Sequence, residues 1–137
     1  MKARDLMTSD VISLDVQATI GDAFAVLTEY EVRHLPIVAE SGRVVGVLSD
    51  RDVRRVEGLI AQEVGHPDYA KNVLAAPVTS LVSGPPLTCA PDAPVDEVID
   101  ALVENRVGCV IVVDADDEVQ GIVSTLDVLC AAKGRLD

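Results

Sequence analysis

A serine and an aspartate three residues apart occur twice, each time at the end of an apolar run: Gly46-Val47-Leu48-Ser49-Asp50-Arg51-Asp52-Val53 and Gly121-Ile122-Val123-Ser124-Thr125-Leu126-Asp127-Val128. Where a strand runs into a helix, the hydroxyl and the first backbone N–H groups of that helix favour an anion such as phosphate. A carboxylate one turn further on is acceptor-only. It is a poor phosphate partner and a good one for two neighbouring hydroxyls, such as a ribose 2′,3′-diol. Together these groups describe a nucleotide site. Ser at a helix N-cap with Asp three residues on is also a capping box, so helix initiation alone accounts for the motif as well.

The two motifs lie 75 residues apart in a register that runs without a gap from Asp5/Ser80 to Val53/Val128, with eleven identities in 49 pairs. Roughly four would arise by chance, so the chain is a tandem duplication. The elements that must position the motifs repeat with it. Ile20, Ala23, Phe24 and Leu27 have the i, i+3, i+4, i+7 spacing of a helix with one buried face, and Val95, Val98, Ile99 and Leu102 repeat it. Thr19 with Asp22 reads as a capping box, and Pro94 with Asp96 and Glu97 supplies first-turn chemistry at the matching point. Two hairpins are expected, from residues 35–39 and 44–48 and from residues 109–113 and 119–123. An earlier strand falls around Val11-Ile12-Ser13, and a second helix follows each Ser. Between the repeats we expect the first motif's helix to continue, then a turn over residues 65–68 and a connector.

The expected fold is therefore α/β (α+β): two β-α-β-β-α repeats, residues 3–60 and 78–134, joined by a connector over 61–77. Each repeat alone buries little surface, so the pair is expected to share an apolar interface with pseudo-twofold symmetry.

Composition excludes several function classes. A net charge of −12 repels a phosphate backbone, and with no Trp and 2% aromatics there is no stacking platform, so nucleic acid is not an expected partner. The longest apolar runs are far shorter than a membrane span, and no apolar signal core follows the N-terminal residues, which predicts a soluble cytoplasmic protein with no membrane contact. Cys89, Cys109 and Cys130 have no metal-knuckle or disulfide spacing, and two distant histidines make no metal site. No Ser-His-Asp, Cys-His or P-loop constellation is evident, so catalysis is not expected.

The order and spacing of these motifs resemble a tandem pair of CBS domains, the cystathionine β-synthase type repeat that forms a Bateman module. The resemblance covers nearly the whole chain: Ala3-Arg4-Asp5-Leu6-Met7, the strand around Val11-Ile12-Ser13, His34-Leu35-Pro36-Ile37-Val38, and Gly-x-x-Ser-x-x-Asp in both copies. It implies two clefts between the repeats, each able to take AMP, ADP, ATP or S-adenosylmethionine as a regulatory ligand. On that similarity Asp52 and Asp127 hold ribose hydroxyls and Ser49 and Ser124 contact phosphate. Val11, Ile12, Ser13, Leu87 and Thr88 flank the adenine, with His34, Pro36, Asp50 and Arg51 in the first repeat's recognition elements. The resemblance also implies a disc-shaped homodimer. A sensor consisting of the pair alone is expected to regulate an effector protein in trans; a ligand-independent dimerisation scaffold is the alternative.

The repeats differ in charge. Arg33, His34, Arg51, Arg54 and Arg55 stand opposite Gly108, Cys109, Leu126, Leu129 and Cys130. Arginines gathered in an acidic chain favour phosphate locally, so the two sites are expected to be unequal. The same arginines also suit a solvated helix face.

Overall fold

The computed structural model describes residues 1–63, 65–82 and 85–136. In chain order the elements are α1 (Ala3–Leu6), β1 (Leu14–Asp15), α2 (Ile20–Tyr30), β2 (His34–Val38), β3 (Val44–Ser49), α3 (Asp50–Gln62), α4 (Pro67–Ala75), a 3-10 turn (Val78–Leu81), β4 (Thr88–Cys89), α5 (Val95–Asn105), β5 (Cys109–Val113), β6 (Val119–Ser124) and α6 (Thr125–Leu136). This is a mixed α/β fold with two three-stranded sheets, ordered β1-β2-β3 and β4-β5-β6. In each sheet the short first strand runs parallel to the central one, through Leu14↔Ile37 and Thr88↔Ile111. β5 and β6 pair antiparallel, placing Cys109 opposite Ser124.

Local chemistry explains these elements. The Thr19 hydroxyl accepts from the Asp22 N–H at 3.1 Å and the Asp22 carboxylate accepts from the Thr19 N–H at 2.9 Å, closing the box that starts α2. Ile20, Ala23 and Leu27 then bury the inner face. Both α2 and α5 end on a left-handed residue, Glu31 and Arg106, each at φ 52°. That conformation costs a non-glycine residue about 1 kcal/mol or more. The central strand β5 is buried at all five positions, which is why it reads as an unbroken apolar run rather than an alternating one.

Two expectations are corrected. Residues 11–13 form no strand; β1 is only Leu14–Asp15, because its pairing with β2 covers two residues before the Asp15 side chain accepts the Gln17 N–H at 2.7 Å and turns the chain. The expected turn over residues 65–68 is shortened, because Pro67 opens α4 and Asp68 lies in its first turn. Proline pre-sets helical φ and its missing N–H is no loss at that position.

The chain divides into two compact units that cut across the repeats: Ile12–Ser41 with Val45–Pro85, and Met1–Val11 with Gly42–Val44 and Pro86–Asp137. Each repeat's lead-in is built into the other repeat's unit. The Ala3 N–H donates to the Ala93 carbonyl at 2.9 Å, and the equivalent Val78 N–H donates to the Ala18 carbonyl at 2.9 Å. The Val95 N–H donates to the Met1 carbonyl, matched by Ile20 to Ala76. Leu14, Leu35, Ile37, Leu48 and Val78 form the core of one unit, and Ala3, Val98, Val110, Val112 and Val123 that of the other.

Candidate functional site

β3 delivers Ser49 to the N-cap of α3, and β6 delivers Ser124 to the start of α6. At the first motif the Asp52 Oδ2 accepts from the Ser49 N–H and the Ser49 hydroxyl, each at 3.0 Å, while the Ser49 Oγ accepts from the Asp52 N–H at 3.3 Å. The second motif repeats this: Asp127 Oδ2 accepts from the Ser124 N–H at 2.7 Å and its hydroxyl at 3.0 Å, and Ser124 Oγ accepts from the Asp127 N–H at 3.1 Å. Both capping boxes are formed. Each aspartate is bound through one oxygen, Oδ2, and its Oδ1 takes no part in the box.

The sequence led us to expect unpaired N–H groups at these helix starts. They are partly engaged. The Asp50 N–H donates to the Arg33 carbonyl at 2.9 Å, and in the other repeat the Thr125 N–H donates to the Gly108 carbonyl at 2.9 Å. With Asp52 and Asp127 bonded to the serines, the N–H groups of Arg51 and Leu126 are the first-turn donors outside these bonds.

Around the first motif, charges of both signs meet. Arg54 lies 3.8 Å from Asp50 and Arg55 lies 3.9 Å from Asp52 Oδ1. Both arginines are largely exposed, so these pairs contribute little to stability and leave the guanidinium groups able to exchange partners. His34 is half-buried, and loss of hydration pulls its pKa below the usual 6.5; Asp50 opposes the shift, Arg33 adds to it and Asp52 opposes it. The imidazole is thereby held toward its neutral form, able to accept as well as donate. At the equivalent place in the second repeat, burial pushes the Cys109 thiol up to about 12, which keeps it protonated and unreactive.

The remaining candidates fall on different ground. Ser13 and Thr88 are exposed, Val11, Ile12 and Leu87 are half-buried, and Arg51 is exposed. Pro36 is fully buried in β2. One compact unit holds Ile12, Ser13, His34, Pro36, Ser49, Asp50, Arg51 and Asp52; the other holds Val11, Leu87, Thr88, Ser124 and Asp127.

Two depressions that were not foreseen lie in the first of these units. One, of about 300 Å³, is lined by Val16, Ile37, Val45, Thr79 and Val82 and is mainly apolar. The other, of about 260 Å³, is lined by Leu27, Thr28, Glu31, Val32, Arg33, Asp50, Val53, Arg54 and Glu57. Their residues come from segments far apart in the chain, and only the helical spacing of Arg54 with Asp50 and Glu57 hinted at a shared surface. Among the described residues, no group of three or more His, Cys, Asp or Glu could hold a metal ion.

The family model for the CBS domain matches residues 3–58 and 78–134. The chain is 28% identical over 129 residues to an inosine-5′-monophosphate dehydrogenase of Methanocaldococcus jannaschii, a match covering 93% of this chain and 23% of that enzyme. Less than a quarter of the length of the first curated relatives is spanned. Among solved structures, the fold matches the CBS domain pair of protein MJ0100, solved in complex with 5′-methylthioadenosine and S-adenosyl-L-methionine, at a TM-score of 0.81 and 24% identity over 98% of both chains. It also matches CBSX2 in complex with AMP, at a TM-score of 0.80 and 23% identity over 99% of this chain and 98% of that one.

Proposed function

The chain belongs to the CBS domain family, and from that membership we propose that it is a non-catalytic regulatory module that binds an adenosyl ligand and acts, as a homodimer, on an effector protein in trans. AMP, ADP, ATP and S-adenosylmethionine are the candidate ligands. The observation that carries the reading is the geometry of the two aspartates: the cap fixes each carboxylate through Oδ2 and leaves Oδ1 outside the cap, where a ribose hydroxyl can donate to it, at Asp52 in exchange for the exposed Arg55 at 3.9 Å. The arginines beside Asp50 and Asp52 support phosphate recognition at the first motif, and the neutral tendency of His34 gives a base or sugar a partner that carries no fixed charge. The apolar depression at Val16, Ile37 and Val45 is at the lower end of the volumes that small-molecule sites use and suits a flat heterocycle. At the second motif Leu126 and Cys109 replace Arg51 and His34, which favours a ligand with less charge. Regulation follows by linkage, since a ligand shifts the molecule only as far as it binds one arrangement more tightly than another.

The formed capping boxes favour a second reading, in which the motif is architecture and the chain is a ligand-independent scaffold. Thermal unfolding with and without AMP, ATP and S-adenosylmethionine separates the two. A ligand at 100 times its dissociation constant adds about 2.7 kcal/mol. Asp52→Ala and Asp127→Ala are expected to lose the ligand-dependent part of this at their own motif. Unchanged melting with every adenosyl compound at millimolar concentration sinks the ligand reading, as do alanine variants that bind normally and lose only about 1 kcal/mol from the missing cap.

A further inference from the structure

Duplication supplies an internal control for every side chain near the two motifs, and one contact fails it. In the first motif both oxygens of the Asp52 carboxylate are engaged: Oδ2 by the Ser49 N–H and hydroxyl, and Oδ1 by the Arg55 guanidinium at 3.9 Å. In the second motif Oδ2 of Asp127 is held in the same way, but the residues three and four positions on are Cys130 and Ala131. Among the described residues no base meets Asp127 Oδ1. The Arg55 side chain is 69% exposed and that of Asp52 26%, so their pair is loose and contributes little to stability. Its place matters more than its strength. The guanidinium stands at the oxygen that a ribose hydroxyl must reach.

We infer that Arg55 sets the ligand class of the first motif, by exchanging the Asp52 carboxylate for a phosphate of the ligand. The inference rests on the ligand reading above and adds to it a residue and a selectivity. A ribose diol that takes Asp52 Oδ1 displaces the guanidinium. With an uncharged nucleoside Arg55 loses its acid and gains no other. A nucleoside 5′-phosphate returns one, in the planar two-oxygen geometry that a guanidinium matches. Both charges are then paired, Asp52 with hydroxyls and Arg55 with phosphate. In a chain of net charge −12 a phosphate without such a partner is repelled. Arg55 therefore acts against the nucleoside and for the nucleotide, the two halves of a discrimination. Nothing is exchanged at Asp127, where a nucleoside enters without displacing a charge and Cys130 offers phosphate no cation.

Calorimetric titration of the full chain with adenosine and with AMP tests this, one motif at a time. With the second motif silenced by Asp127→Ala, AMP is expected to bind about tenfold or more tighter than adenosine, the range of one charge-assisted hydrogen bond. Adding Arg55→Cys, which copies Cys130, is expected to bring the two affinities within about threefold of each other, by weakening AMP and leaving adenosine unchanged or slightly tighter. The reciprocal pair, Asp52→Ala with Cys130→Arg, is expected to carry the AMP preference to the second motif. Arg55 and Cys130 are both exposed, so melting without ligand is expected to be retained. Arg55→Gln replaces Arg55→Cys should the added thiol cross-link. An AMP preference that survives the loss of Arg55, or a loss of affinity equal for both compounds, overturns the inference and leaves the ligand reading standing. Binding of neither compound at millimolar concentration by the wild type overturns both.

Discussion

Ser49 and Ser124 each use one hydroxyl to donate to an aspartate and to accept from that aspartate's N–H, so the residue types that suggest nucleotide chemistry are the same ones that start the helices. Capping and binding are compatible because a carboxylate has two oxygens. His34 adds a pH dependence that the second repeat lacks. Its folded-state pKa lies below the usual 6.5 through burial. Between those two values the unfolded chain holds a proton that the folded chain does not. His34's contribution is therefore complete above about pH 6.5 and is lost as pH falls toward the folded value. His34→Gln is expected to lose less melting temperature than wild type between about pH 7.5 and pH 5.5. Equal losses would assign the acid sensitivity to other groups. Residue type and spacing were enough to place Ser49, Asp52, Ser124 and Asp127 in the sequence. The spacing showed which helix faces are buried, but not that Pro36, expected in a recognition element, is core, because burial within a strand depends on what packs over it.

The elements α2 and α5 begin where their apolar spacing starts and run three residues beyond it, and the apolar runs that become β5 and β6 are found to within a residue. The misplaced ones are those whose limits depend on a partner segment. Val11 and Ile12 have high strand propensity, yet a strand needs a neighbour and β2 offers one only to Leu14 and Asp15. Likewise the motif glycines owe their identity to distant chain. A Cβ on Gly46 would collide with the Val82 side chain, and one on Gly121 would meet Met7 Sδ at 2.5 Å and the Thr8 carbonyl oxygen at 2.9 Å. Val82 and Met7 are themselves equivalent under the 75-residue register. Gly46→Ala and Gly121→Ala are each expected to cost about 1–3 kcal/mol by overpacking. Val82→Ala should restore much of the first loss in denaturant unfolding, whereas Met7→Ala should not restore the second, because the obstructing carbonyl is backbone. Equal rescue in both pairs would contradict this account.

Across the whole molecule the sequence repeat and the folding unit are different objects. No described helix is long and apolar enough to cross a membrane, and the core is supplied by two sheets with their helices. Residues 1–66 contain one repeat with its own lead-in, but that lead-in bonds to residues 91–95, while residues 12–85 contain one compact unit with the lead-in it uses. The fragment 12–85 is expected to hold more helical circular dichroism than 1–66 at low micromolar concentration. Fragment 1–66 is expected to gain structure as concentration rises, since two copies can then serve each other. A fragment 1–66 that folds fully as a monomer would show the crossed lead-ins to be dispensable. The same crossing carries a statement about ancestry. A single-repeat precursor with this architecture would have been an obligate swapped pair, assembled only at sufficient concentration. Fusing two such genes end to end turned an intermolecular encounter into an intramolecular one. Such a fusion also frees each half to diverge, and here one half carries arginines where the other carries leucines.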